Sequence, residues 1–141
     1  MTSDNGWQMS DDRVQTGRAQ AFARYLDIAS GNGDFAELDA LMAPSFIGHM
    51  GERTRDLVQL KRDMAAYRAS ADEVRFQIEH EFGDGDFLAT RVVASAVRRS
   101  DGATLVARGI NISRWVGLLL AEEWAVWEAL HPSDLDRGVD A

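Results

Sequence analysis

The spacing of apolar side chains changes once along the chain: up to Ser70 it is helical, and beyond it is two. In the first region Val14, Ala21, Phe22, Tyr25, Leu26 and Ile28 recur three and four residues apart. This predicts a helix over 10–30, with Ser10 or Asp11 as its cap. The glycines of "SGNGD" end it by supplying the backbone freedom that termination needs. "DFAELDALM" predicts a second, short helix, with Asp34 and Glu37 at capping-box spacing and Pro44 as its stop. "SFIGHMGER" reads as a loop or a short strand. A third helix is expected over about 55–69, capped by Thr54, with Leu57, Leu60, Met64 and Tyr67 as its apolar stripe.

Past Ser70 the pattern alternates. In "EVRFQIEH" Val74, Phe76, Ile78 and His80 face one way, and Arg75, Gln77 and Glu79 the other. "GDGD" and "SDGA" carry turn chemistry. They separate strands at "FLATRVVASAV" and "TLVARGINISRW", and Val116–Gly117 turns into the last strand, "LLLAEEWAVWEAL". Strict alternation in that strand puts Leu118, Leu120, Glu122, Trp124, Val126 and Glu128 on one face. Leu119, Ala121, Glu123, Ala125 and Trp127 take the other. Three helices followed by four antiparallel strands predict one α+β domain over residues 10–130, with tails at 1–9 and 131–141. A curved sheet wrapping helices leaves a cavity between the layers, a natural place for a small molecule.

Composition narrows the function. The chain has 141 residues and a net charge of −8, so nucleic acid and anionic membranes are not expected partners. Cysteine is absent, which excludes a disulfide scaffold, thiolate metal ligands and a cysteine nucleophile. No two of the three histidines stand at metal-ligand spacing, so no metal is expected. There is no phosphate loop, dinucleotide fingerprint or nucleophile elbow. The N-terminal stretch is polar and acidic rather than signal-like, and the longest apolar run is too short to span a bilayer. A cytoplasmic protein is the expectation.

Several segments, taken in order, carry a resemblance. "RYLDIASGNGDFAELDALMAPSFIGHM", "ATRVVASA", "RGINISRW" and "AEEWAVWEAL" are similar to the SnoaL-like polyketide cyclase group of the nuclear transport factor 2-like superfamily. The likeness covers roughly residues 12–130. It implies a cone in which three N-terminal helices pack on a strongly curved antiparallel sheet around a pocket. It further implies a homodimer through the outer sheet face and a small apolar or aromatic ligand. The implied chemistry is cofactor-independent acid/base work next to a carbonyl, either aldol-type cyclisation or isomerisation.

The resemblance also assigns roles. His49, in the "Phe-x-x-His" segment, would sit at the pocket mouth as base or proton shuttle, or else be a loop histidine bonded to nearby backbone. Tyr25 and Asn111 would be hydrogen-bond donors, or respectively a core aromatic and a turn or dimer contact. Arg91 would point inward to orient an acid, or lie exposed at a strand edge. Trp124 would be the stacking wall, and Phe46, Met64 and Tyr67 further lining. His80 is placed at the edge of the core. The aspartates that family members carry near these strands are replaced by Val93 and Val126, so an acid–arginine–acid epoxide hydrolase relay is not expected. Glu122 or Glu128 would have to supply the acid. If neither does, the chain is a non-catalytic ligand-binding or dimerisation module.

Overall fold

The computed structural model describes residues 2–130, with side chains described from residue 12 onward. Met1 and the tail expected over 131–141 lie outside the described residues. Among the described residues three helices, α1 (Thr2–Ser30), α2 (Phe35–Leu41) and α3 (Leu57–Ser70), accompany six strands. The strands are β1 (Met42–Met50), β2 (Arg53–Asp56), β3 (Ala71–Asp84), β4 (Phe87–Arg98), β5 (Thr104–Val116) and β6 (Leu119–Leu130). They form one sheet in the order β2-β1-β6-β5-β4-β3. The expected α+β architecture is present, as is the antiparallel meander of β3 to β6. The sheet is mixed rather than purely antiparallel, because β1 pairs parallel with β6 and antiparallel with β2.

Local chemistry explains where the elements begin. The α1 helix starts at Thr2, so residues 2–9, expected as a tail, are helical, and the expected caps Ser10 and Asp11 lie inside it. Asp34 caps α2 as expected, accepting the Glu37 N–H at 3.0 Å. The cap of α3 is Asp56 rather than Thr54, which belongs to β2. Asp56 Oδ1 accepts the Gln59 N–H at 2.9 Å, and Gln59 Oε1 accepts the Asp56 N–H at 3.0 Å, closing a capping box. Pro44 follows α2 inside β1, where the β1–β6 register is irregular and its missing N–H breaks no regular ladder.

The helices are tied to the sheet and to each other by two arginines as well as by the apolar core of Phe22, Ile28, Leu38, Leu60, Trp115 and Leu120. Buried Arg18 on α1 donates to the carbonyls of Gly117 and Gly85, each at 2.9 Å. It thereby holds α1 across the β5–β6 and β3–β4 turns. Arg68 on α3 donates to the carbonyls of Ile28 and Gly33, satisfying acceptors at the end of α1.

Two of the sheet's bulges decide which candidate site residues reach the interior. In β6, Arg114 opposes Glu122 while Trp115 opposes Leu120, so Ala121 is an extra residue. Leu120 is fully buried under the helices, but beyond the bulge the alternation inverts. Glu123, Ala125 and Trp127 face inward, and Glu122, Trp124, Val126 and Glu128 face out. This reverses the facing expected from unbroken alternation. In β3, Ile78 opposes Val92 while His80 opposes Arg91, leaving Glu79 as the extra residue. His80 is consequently exposed rather than continuing the Phe76–Ile78 face.

Candidate functional site

A cavity of about 350 Å³ lies between α1, α3 and the inner sheet face. That falls at the lower end of the usual range for small-molecule sites. Its walls are mostly apolar, with Phe22, Leu26, Leu60, Met64, Phe76 and Trp127 among them. Phe76 and Trp127 meet edge to face at 6.4 Å. Trp127 lies over Gly109, its register partner on β5, where a Cβ would come within 2.5 Å of the indole. Only glycine leaves room for the ring in that position.

The polar groups converge on one carboxylate. Glu123 on β6 is 2% exposed. Its Oε1 accepts the Tyr25 hydroxyl of α1 at 2.9 Å, and its Oε2 accepts Asn111 Nδ2 of β5 at 2.9 Å. The Arg55 guanidinium of β2 stands 3.8 Å from Oε1 and donates to Asp63 of α3 at 2.8 Å. A buried carboxylate is tolerated only when paired and hydrogen-bonded, and these partners supply both conditions. Burial pushes the Tyr25 phenol well above its ordinary value, and the neighbouring Glu123 charge raises it further, so Tyr25 is a neutral donor. Burial acts to lower the Arg55 value, but Tyr25, Asp63 and Glu123 outweigh it, and the guanidinium is held more firmly protonated. Each carboxylate oxygen has two lone pairs, so Glu123 retains capacity to accept a proton from a molecule in the cavity.

Of the residues expected at the site, Tyr25, Met64, Tyr67 and Asn111 line this cavity. Phe46 is buried in the core beside it and is not part of the lining. The expected acid/base group is elsewhere. His49 lies on the outer sheet face, its ring stacked on Trp124 at 5.3 Å and its Nε2 2.7 Å from Glu122 Oε2. Glu122 Oε1 also accepts from Arg114 at 3.1 Å. The hydrogen bond from His49, followed by Arg114, keeps the Glu122 carboxyl below its ordinary value. Arg91 also faces outward and pairs with Glu79 at 3.3 Å, so it orients no acid in the cavity. Glu128 is exposed on the same outer face, opposite Arg108. The Ala121 bulge and the outward phase of β1 at His49 together account for these corrections to Glu122, Glu128, Trp124 and His49.

Glu123, Arg55 and Asp63 were missed. For Glu123 a signal existed: two adjacent glutamates in an alternating strand must face opposite ways, so one is inward whatever the phase. No comparable signal marks Arg55, which sits in a four-residue strand with no periodicity to read.

Among the described residues no cluster of histidine, cysteine or acidic side chains is arranged to hold a metal ion. None of the described helices is long and apolar enough to cross a membrane.

No curated protein shows significant sequence similarity to the chain. Several solved structures share the fold at low identity. AclR from Streptomyces galilaeus, a candidate hydroxylase, superposes with a TM-score of 0.72 at 12% identity, covering 86% of this chain and 85% of that one. IdmH from Streptomyces antibioticus, a candidate polyketide cyclase, gives 0.69 at 20% identity over 79% and 91%. PrhC from Penicillium brasilianum gives 0.71 at 15% identity over 82% of each chain. The SnoaL-like domain family matches residues 22–123, a span that includes Tyr25, Arg55, Asn111 and Glu123, and the chain belongs to that family.

Proposed function

We propose that this protein is a cofactor-independent acid/base catalyst acting next to a carbonyl on a small apolar cyclic molecule, with Glu123 as the base. The observation that carries this reading is the nearly dry carboxylate at the cavity wall, fixed through both oxygens by Tyr25 and Asn111. Glu123 takes a proton from the carbon alpha to the substrate carbonyl. The resulting enolate oxygen is stabilised by the Arg55 guanidinium. The enolate carbon then attacks a second carbonyl, closing a ring and leaving an alkoxide that takes the proton back from Glu123, or, in a conjugated dienolate, the remote carbon takes that proton. Either course returns the proton and leaves the protein unchanged. Tyr25 positions Glu123 and donates no hydrogen bond to the substrate, because its hydroxyl proton is committed to the carboxylate. The membership of the SnoaL-like family and the fold shared with a candidate polyketide cyclase support this class of chemistry.

The test is deuterium exchange at the alpha carbon of bicyclic ketones of the α-tetralone type, followed by NMR. Wild type is expected to accelerate exchange, and Glu123→Gln to lower the rate about a hundredfold or more. Unchanged exchange in that variant would remove Glu123 from the mechanism.

A second reading concerns assembly. Beyond the bulge the outer sheet face exposes Ile110 and Val126, which are register partners, together with Ile112, Trp124 and Phe87. A contiguous apolar patch of this kind favours a homodimer through that face. The same patch suits a non-catalytic dimerisation module, which would show no Glu123-dependent exchange.

A further inference from the structure

Two residues that line the cavity, Asn111 and Arg55, each carry a buried polar atom that the Glu123 network leaves over. Asn111 is 6% exposed and lines the cavity, and its Nδ2 is bound to a carboxylate oxygen, which can only accept. The amide orientation is therefore fixed by chemistry, and Oδ1 is the free end. Among the described residues, neither Asn111 Oδ1 nor Arg55 Nε has a hydrogen-bond partner. These atoms belong to groups flanking the same carboxylate: Asn111 bonds Oε2, and Arg55 stands beside Oε1. Asparagine in mid-strand is disfavoured by propensity, so β5 carries it at this position against local preference.

We infer that Asn111 and Arg55 are the specificity-determining residues of this cavity, and that its ligand must carry a neutral hydrogen-bond donor set apart from its carbonyl. This rests on the proposal that the cavity takes a cyclic ketone. Asn111 Oδ1 accepts from a hydroxyl or N–H of the ligand, and Arg55 Nε donates to the carbonyl oxygen. Both atoms are buried without partners among the described residues, and a purely apolar occupant leaves them so, whereas a ligand donor and a carbonyl oxygen would satisfy them. An anionic group is equally unsuited to the Asn111 side, because Glu123 lies against it and the amide oxygen offers no proton. The Phe76–Trp127 pair supplies the flat wall on which the ring rests.

The experiment is titration of wild type with α-tetralone, its ring-hydroxylated isomers and their methyl ethers, read by calorimetry. At least one hydroxylated isomer should bind about tenfold more tightly than both α-tetralone and its own methyl ether. Asn111→Leu should bring the three within about twofold of one another. Equal or weaker binding of every hydroxylated isomer by wild type, including no binding, overturns the inference whether or not the leucine variant folds. Alpha-carbon exchange measured on the same ligands separates the two ideas. Hydroxyl preference without exchange leaves the specificity pair standing and sinks the catalytic reading. Exchange without hydroxyl preference does the reverse.

Discussion

Glu122 and Glu123 are neighbours in sequence with opposite surroundings. Glu122 is partly exposed beside His49 and Arg114, whereas Glu123 is buried beside Tyr25 and Asn111. Residue type alone does not separate them. Tyr25 and Asn111 were legible as pocket donors because a tyrosine on an apolar helix stripe and an asparagine in mid-strand both stand out from their settings. What could not be read is that both spend a hydrogen bond on the protein's own acid. This has a consequence at alkaline pH. The Tyr25 value is raised in the folded state, so the unfolded chain loses that proton first, as pH rises through the ordinary value of 10.0. The stabilising difference is fully present below that point and is lost as pH climbs toward the folded-state value. Urea midpoints of wild type should therefore fall above about pH 10. Tyr25→Phe should start lower, by about 1 kcal/mol, and show a shallower alkaline decline, with that of Tyr67 remaining. An identical decline in the variant would show that Tyr25 is not buried against Glu123.

At the scale of elements, the order of the helices and the meander follows from periodicity, and the start of α1 and the inward and outward faces do not. Leu120 is inward as its apolar neighbours suggest, but one extra residue at Ala121 inverts everything after it. A bulge leaves no mark in a pattern of apolar and polar positions when the residue inserted is alanine. The β1 segment reads only as a loop or a short strand for a related reason: Pro44, Gly48 and His49 dilute the alternation, and its pairing with β6 is parallel and long-range. The tightest fit within the sheet is Gly109 under Trp127, where a methyl group would meet indole carbons 2.5 to 2.7 Å away. Gly109→Ala should cost about 1–3 kcal/mol by chemical denaturation and displace the tryptophan that walls the cavity. Adding Trp127→Leu should relieve most of that cost, because the smaller side chain clears the new methyl. A penalty that persists in the double variant would place the strain in the β5 backbone instead.

For the whole molecule, the cavity and the outer face make separate demands on one sheet. Inward positions of β5 and β6 carry the Asn111–Glu123 network, and outward positions carry Ile110, Ile112, Trp124 and Val126. Changes to one face should therefore leave the other intact. Replacing Ile110 and Val126 together by lysine should convert a dimer to a monomer in sedimentation experiments while Glu123-dependent exchange persists. A wild-type chain that sediments as a monomer at micromolar concentration would contradict assembly through this face. The His49–Glu122–Arg114 cluster lies on that outer side, so the proposed catalysis rests on Glu123 and not on the histidine-bearing pair. The most direct measurement is alpha-carbon deuterium exchange of the hydroxylated α-tetralones by Glu122→Gln and Glu123→Gln side by side. Glu123→Gln should lose about a hundredfold or more, and Glu122→Gln should stay within about threefold of wild type. A loss confined to Glu122→Gln would place the chemistry on the outer face and rule out Glu123 as the base.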